Sequence, residues 1–317
     1  MIIGQATLAD DAAQGLPPER ERTAALLDEL QVAEGAGADA LARWAACCRE
    51  PILAALLHLV ALRDADHATL AGARRRELGG HAAGEVSRGL AGFCRAIASA
   101  ELSDRSKLSM LLARFPAEAR DTFADEIASV GEDDETRALL DVIGDDERVS
   151  LTWLRMLHDA PPVLSLPPTA GVNPTLLEFL DALAAAERGA ADVFDAWARV
   201  CTAPSLRGGL RVLTAREATH AHVARARLQA LGGGAIAAID DATRRGALAH
   251  FGAAAVADGD KLDTVLARYG TDDAIAESLR EHAQARDTDP ITRTELEWMA
   301  STEVATIAWL RRYRDAG

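Results

Sequence analysis

Two sets of carboxylate and histidine residues recur along this 317-residue chain at a constant separation. Glu187 is followed by Glu217-Ala218-Thr219-His220, and Glu34 by Asp64-Ala65-Asp66-His67, with an offset of 153 residues from Glu34 to Glu187, from His67 to His220 and from Gly79 to Gly232. Residues three apart on a helix face the same way, so Glu217 with His220, and Asp64 with His67, can reach one point from adjacent turns. A further acid follows in each half, Glu147 and Glu303, on stretches that match at an offset of 156 residues through Trp153 and Trp309. Buried in apolar surroundings, such acids would need a cation as partner.

The elements that must carry these residues are readable in order. The stripe Glu34, Leu41, Trp44, Cys48 has helical period, and Glu187, Phe194, Trp197, Cys201 repeats it. The first helix is expected from about Pro18 to Arg49. Pro51 and Pro204 fit the first turn of a second helix, and Gly79-Gly80 and Gly232-Gly233 fit left-handed caps at its end. Leu177 to Gly233 thus reads as a helical hairpin with an earlier copy. Beyond it the halves share Asp104-x-x-Lys107 with Asp258-x-x-Lys261, and Leu112-Ala113-Arg114-Phe115 with Leu266-Ala267-Arg268-Tyr269. These lysines are the only two in the chain, and an Asp three residues earlier gives each the reading of a capped, surface helix start. A third bundle helix is expected near 117–130 and 272–286, and a last helix follows an acidic turn in each half. Pro161, Pro162, Pro167 and Pro168 make a semi-rigid linker, and Asn173-Pro174 restarts a helix.

Composition bounds the class. Apolar residues make up 49% of the chain and aromatics 4%, which favours close-packed helices over sheets. A formal charge of −15 repels phosphate backbones and anionic surfaces, so neither nucleic acid nor membrane is expected as a partner. Met1 to Gly15 lacks a basic segment followed by an apolar core, and no apolar run reaches the roughly 20 residues of a membrane span. A cytoplasmic protein is the expectation. Cys47, Cys48, Cys94 and Cys201 form no Cys-x-x-Cys pair and are expected as small buried hydrophobes.

Taken with the hairpin spacing, this pattern resembles the ferritin-like superfamily, whose four-helix bundles bind two metal ions with one Glu from each of two helices and Glu-x-x-His from each of the other two. The resemblance spans about 20–158 and 174–315. It implies an all-α fold of two tandem ferritin-like four-helix bundles, divided as an N-terminal extension (1–17), repeat 1 (18–159), a proline-rich linker (160–174) and repeat 2 (175–317). It implies Glu187, Glu217, His220 and Glu303 as metal ligands in repeat 2, and Glu34, Asp64, His67 and Glu147 in repeat 1. Iron or manganese would be the cofactor, with dioxygen, peroxide or a small molecule as substrate of an oxidoreductase. Ser150 and Thr306 stand where such proteins place the histidine of the last helix, which puts the second metal in question. The third-helix ligand is left between Asp121 and Asp125 in repeat 1 and between Glu277 and Glu281 in repeat 2. Leu41 and Phe194 occupy a position where many relatives carry tyrosine. The rival reading needs no cofactor: a metal-free ferritin-like binding or scaffold module, its acids paired with Arg63, Arg148 and Arg216. Either a pseudo-two-fold monomer or a homodimer is expected.

Overall fold

A computed structural model describes residues 19–80, 84–115, 127–128, 130–131, 133–159, 173–234 and 237–316. Among them are eleven α-helices and no strand. The chain divides into two compact units, Met1–Pro161 and Pro162–Gly317. The division falls inside the proline-rich stretch, of which residues 160–172 lie outside the described set. No described helix is long and apolar enough to cross a membrane.

The first unit holds α1 (Glu19–Cys47), α2 (Pro51–Glu77), α3 (Arg88–Ala98), α4 (Asp104–Ala113) and α5 (Asp134–Asp159). In the second, α6 (Pro174–Val200), α7 (Pro204–Ala230), α8 (Asp241–Phe251) and α9 (Asp258–Ala267) precede a 3₁₀ turn (Asp272–Ala276), α10 (Glu277–Gln284) and α11 (Pro290–Ala316). In both units the first two helices form a long hairpin. The last long helix packs against the second arm of that hairpin, and the 104–113 or 258–267 helix packs on the last helix.

Local chemistry explains these boundaries. Pro51 and Pro204 open α2 and α7 at N1, where a missing N–H costs nothing. Each ends in a Schellman cap. Gly79 (φ 81°) and Gly232 (φ 86°) sit in the left-handed region; Gly80 N donates to Arg75 O and Gly233 N to Leu228 O, both at 2.9 Å.

The last helix is locked to the second by a matched clamp. Asp133 accepts from Thr136 N (3.1 Å), as an N-cap does, and from Arg74 of α2 (2.7 Å). Asp289 likewise accepts from Thr292 N (3.1 Å) and pairs with Arg227 of α7 (2.7 Å). With the helix start pinned to the end of its neighbour, the register that delivers Glu147 and Glu303 to the core is fixed.

Several expectations need correction. Lys107 and Lys261 are each 1% exposed, so neither is a surface residue. Ser103 caps α4 (Ser106 N to Ser103 Oγ, 3.1 Å), which leaves Asp104 to reach across the unit and accept from Trp44 Nε1 at 2.8 Å and Arg49 N at 2.9 Å. Asp258 does the same for Trp197 Nε1 (2.8 Å) and Thr202 N (3.0 Å). The Asp-x-x-Lys turn is therefore a stitch holding the short helix to the end of the first long one. The Lys107 ammonium then lies 5.4 Å from the Trp44 ring centroid, over its electron-rich face, and 3.7 Å from Cys47 Sγ.

Of the cysteines only Cys201 is buried; Cys47 is exposed and Cys48 and Cys94 are intermediate, because Cys47 and Cys48 fall where α1 ends. In place of one helix over 272–286 there is a 3₁₀ turn and the eight-residue α10. The corresponding stretch of the first unit lies largely outside the described residues.

Candidate metal centre

Each unit brings one set of candidate ligands into its core. Glu34 (α1), Asp64 and His67 (α2) and Glu147 (α5) converge in the first; Glu187 (α6), Glu217 and His220 (α7) and Glu303 (α11) converge in the second. All eight side chains are buried, and within each set one ligand atom per residue lies within 4.8 Å of every other. Two ligands opposite one another on a divalent ion, at roughly 2.1 Å each, are about 4.2 Å apart, so a small contraction would close either set on an ion.

The imidazoles are aimed by their far nitrogens. His220 Nδ1 faces Glu303 (2.9 Å), Glu187 (3.7 Å) and Glu217 (3.8 Å). Its Nε2 is 2.8 Å from Thr302 Oγ1, whose own hydrogen goes to Met299 O (2.8 Å). Thr302 can therefore only accept from His220, so the proton is on Nε2 and the Nδ1 lone pair points at the carboxylates. Trp298 packs edge-on against the same ring, with centroids 5.6 Å apart. In the first unit His67 Nε2 donates to Asp146 Oδ2 (3.2 Å), while Nδ1 faces Glu147 (3.3 Å) and Glu34 (4.0 Å). Asp146 cannot donate, so Nε2 keeps its proton, and Nδ1 is the nitrogen turned toward the acid set.

That orientation has an electrostatic cost. An Nδ1 lone pair among three carboxylates is repulsive unless a cation sits between them, which in the absence of metal is a proton. Burial disfavours charge on both imidazoles, yet the hydrogen bonds His67 donates to Asp146 and Glu147 outweigh it and raise its pKa to about 9. His220 is raised well above its ordinary value by Glu187, Glu217 and Glu303. Glu217 is pushed up to about 7, by burial first and then by repulsion from Glu187. Asp64 is raised well above the usual range, by burial and then by its neighbours, Glu34 among them. Both Asp64 carboxylate oxygens and Glu217 Oε1 are buried with no hydrogen-bond partner. Oxygens held dry and unbonded in this way suit a metal ligand and fit poorly as structural hydrogen-bond acceptors.

A guanidinium borders each set. Arg63 donates to Asp146 Oδ1 (3.3 Å), to the Asp146 carbonyl and to Ser150 Oγ. Arg216 donates to Thr306 Oγ1 (2.5 Å) and to Thr302 O (3.3 Å). Arg148, by contrast, pairs with Asp145 (2.6 Å) near the surface. Glu277 and Glu281 are exposed on α10, so neither joins the centre; their helix turns its apolar Leu279 and Ala283 inward instead. Asp121 and Asp125 lie outside the described residues. The described histidines beyond the two sets join no shared cluster, and His282 stacks on Phe179 (3.7 Å).

Three residues emerge that spacing had not marked. Asp146 and Thr302 orient the imidazoles from corresponding positions, each directly before the last-helix Glu. Tyr269 is half-buried after α9; its phenol is raised first by burial and also by the charges of Glu303, Glu217 and Glu187, which places it in the field of the second centre. The aligned Leu-Ala-Arg-Phe/Tyr landmark was the available signal for it. Comparison with protein-family models, curated proteins and solved structures yields no match.

Proposed function

We propose that this chain is a tandem ferritin-like protein that binds iron or manganese in both bundles, through Glu34, Asp64, His67 and Glu147 in the first and Glu187, Glu217, His220 and Glu303 in the second. One observation carries the reading. In both units an imidazole Nδ1 is driven into a dry group of three carboxylates by an independent hydrogen bond that Nε2 donates, to Asp146 in one and to Thr302 in the other. The likeness between units extends to the glycine caps, the Arg-Asp clamps and the Trp-Asp stitches, which supports duplication of one bundle.

A bound divalent ion supplies Lewis acidity and a one-electron redox couple, which fits an oxidoreductase acting on dioxygen, peroxide or a small molecule. The chain's own residues set the conditions. Glu217 gives up a proton held near neutral pH, Thr302 and Asp146 hold the histidines in ligand geometry, and the leucines, alanines and tryptophans of the bundle keep water out.

The second reading, a metal-free binding or scaffold module, draws on the 2.9 Å contact between His220 and Glu303, a distance suited to a protonated ion pair. Elemental analysis separates the two. Protein reconstituted anaerobically with Fe²⁺ or Mn²⁺ and desalted should retain metal, and Glu217→Ala should lose the share held by the second bundle alone. Retention below about 0.1 equivalent per bundle would leave the scaffold reading standing.

A further inference from the structure

We infer that Arg63 and Arg216 are built-in cations occupying the place of a second metal, so that each bundle is a one-metal centre. The inference rests on the metal reading above and adds nuclearity to it.

A two-metal carboxylate centre needs a donor three residues beyond the last-helix Glu, on the same helix face, and a further acid from the third helix. Here the first of those positions is Ser150 or Thr306. The hydroxyls are already used. Thr306 gives its proton to Thr302 O (3.2 Å) and accepts from Arg216 Nη1 (2.5 Å), and Ser150 accepts from Arg63. In the second bundle the third-helix acids are exposed. The guanidinium fills what remains. Arg63 and Arg216 are 2% and 3% exposed, and each immediately precedes the α2 or α7 carboxylate of its centre. Each lies close enough for its charge to act on the last-helix ligand, Glu147 or Glu303.

Both arginines donate to the carbonyl of the residue before the last-helix Glu, Asp146 or Thr302, and to the hydroxyl three residues beyond that Glu, Ser150 or Thr306; Arg63 adds the Asp146 carboxylate. The side chains changed between the copies while the cation and its contacts stayed. A guanidinium keeps its proton at any pH the protein survives, and it offers only donors. It therefore neutralises the outer side of the acid cluster permanently and repels an incoming dication. A lysine or histidine there could lose its proton and become a ligand, but arginine cannot.

Manganese titration of the full chain, with bound metal counted and the bound ions read by electron paramagnetic resonance, tests this without any variant. The expected result is saturation at no more than one ion per bundle, with the spectrum of isolated ions. More than one ion per bundle, or a spectrum of exchange-coupled pairs, would overturn the inference while leaving the metal reading intact. No bound manganese would overturn both. In a second arm, Arg216→Ala combined with Thr306→His removes the cation and restores a ligand. It should add one ion to the second bundle and introduce exchange coupling, whereas Thr306→His with Arg216 kept should add none. An arginine with a merely structural role predicts loss of metal in the double variant, with no coupling, and that result would also overturn the inference.

Discussion

The two centres share a ligand plan and differ in how the surrounding protein tolerates it. The first surrounds His67 with four carboxylates, counting Asp146, and answers with Arg63. The second has three around His220 and lets a neutral hydroxyl, Thr302, do the orienting. Asp64 is one methylene shorter than Glu217, and both its oxygens are unbonded. Around the second centre the packing is more aromatic. Trp298 lies on the histidine where the first unit has Val142, and Trp309 is buried over Gly209, where an added Cβ would come within 2.1 Å of the indole. In the first unit Leu56 fills the position of Gly209 and Trp153 stays half-exposed. The inner acids and histidine recur nearly unchanged between the copies, while the residue that orients the imidazole shares only the acceptance of a hydrogen bond.

The comparison is most exposed to failure at the arginines. Arg63 pairs with a buried carboxylate, so Arg63→Met strands a charge and should cost about 3 to 5 kcal/mol of metal-free stability. Arg216 bonds a hydroxyl and a carbonyl, so Arg216→Met should cost about 1 to 3 kcal/mol. Chemical denaturation of both variants checks this, and equal losses would mean that Asp146 does not distinguish the units.

A pH series sharpens the contrast. Glu217 has a raised folded pKa of about 7, so its favourable contribution is complete below the unfolded value of about 4.5 and is lost as pH rises through 7. His220 is raised too, so its contribution is complete below about 6.5 and declines above it. Both terms act in the same direction. Metal-free protein should lose roughly 3 kcal/mol between pH 4.5 and 8 from the Glu217 shift, and Glu217→Gln should flatten that slope. Metal affinity should climb over the same range, because the ion displaces both protons. Thermal melts with and without manganese report both trends, and a metal-free stability that rises toward pH 8 would contradict the assignment.

The smallest effect belongs to the orienting pair. Thr302→Val should weaken metal binding in the second bundle about 10- to 100-fold with little change in fold, and Asp146→Ala should weaken it as much in the first while also costing stability, because it strands buried Arg63. Competition with a chelator measures it. Unchanged affinity in both variants would show that the Nε2 contacts do not aim the rings.

Much of this was legible in the residues. The helical hairpins follow from proline at N1 and glycine past the C-cap, signals that act within a few residues of the chain. The pairing of Asp64 with His67 and of Glu217 with His220 follows from spacing, because a helix turns i and i+3 the same way; Glu34, Glu147, Glu187 and Glu303 were implied by the resemblance, and the structure brings them to the same two clusters. What escaped notice depends on partners far off in sequence. Asp104 resembles a cap to its neighbours, yet Trp44, 60 residues earlier, claims it, and burial of Lys107 follows. Asp146 and Thr302 were hidden for a related reason: an acidic and a neutral residue do the same work, so comparing the copies by residue type misses them. The division of 272–286 into a 3₁₀ turn and a short helix depends on packing against α11, which no local pattern records.

Trp298 gives the second centre an optical reporter of its own. An indole edge against the histidine ring senses whether that ring carries a proton, and a paramagnetic ion on the far nitrogen would quench its emission. Val142 stands at that position in the first centre. With the other four tryptophans changed to phenylalanine, the emission of Trp298 would follow loading of the second bundle, and the difference between that signal and total bound metal would give the occupancy of the first.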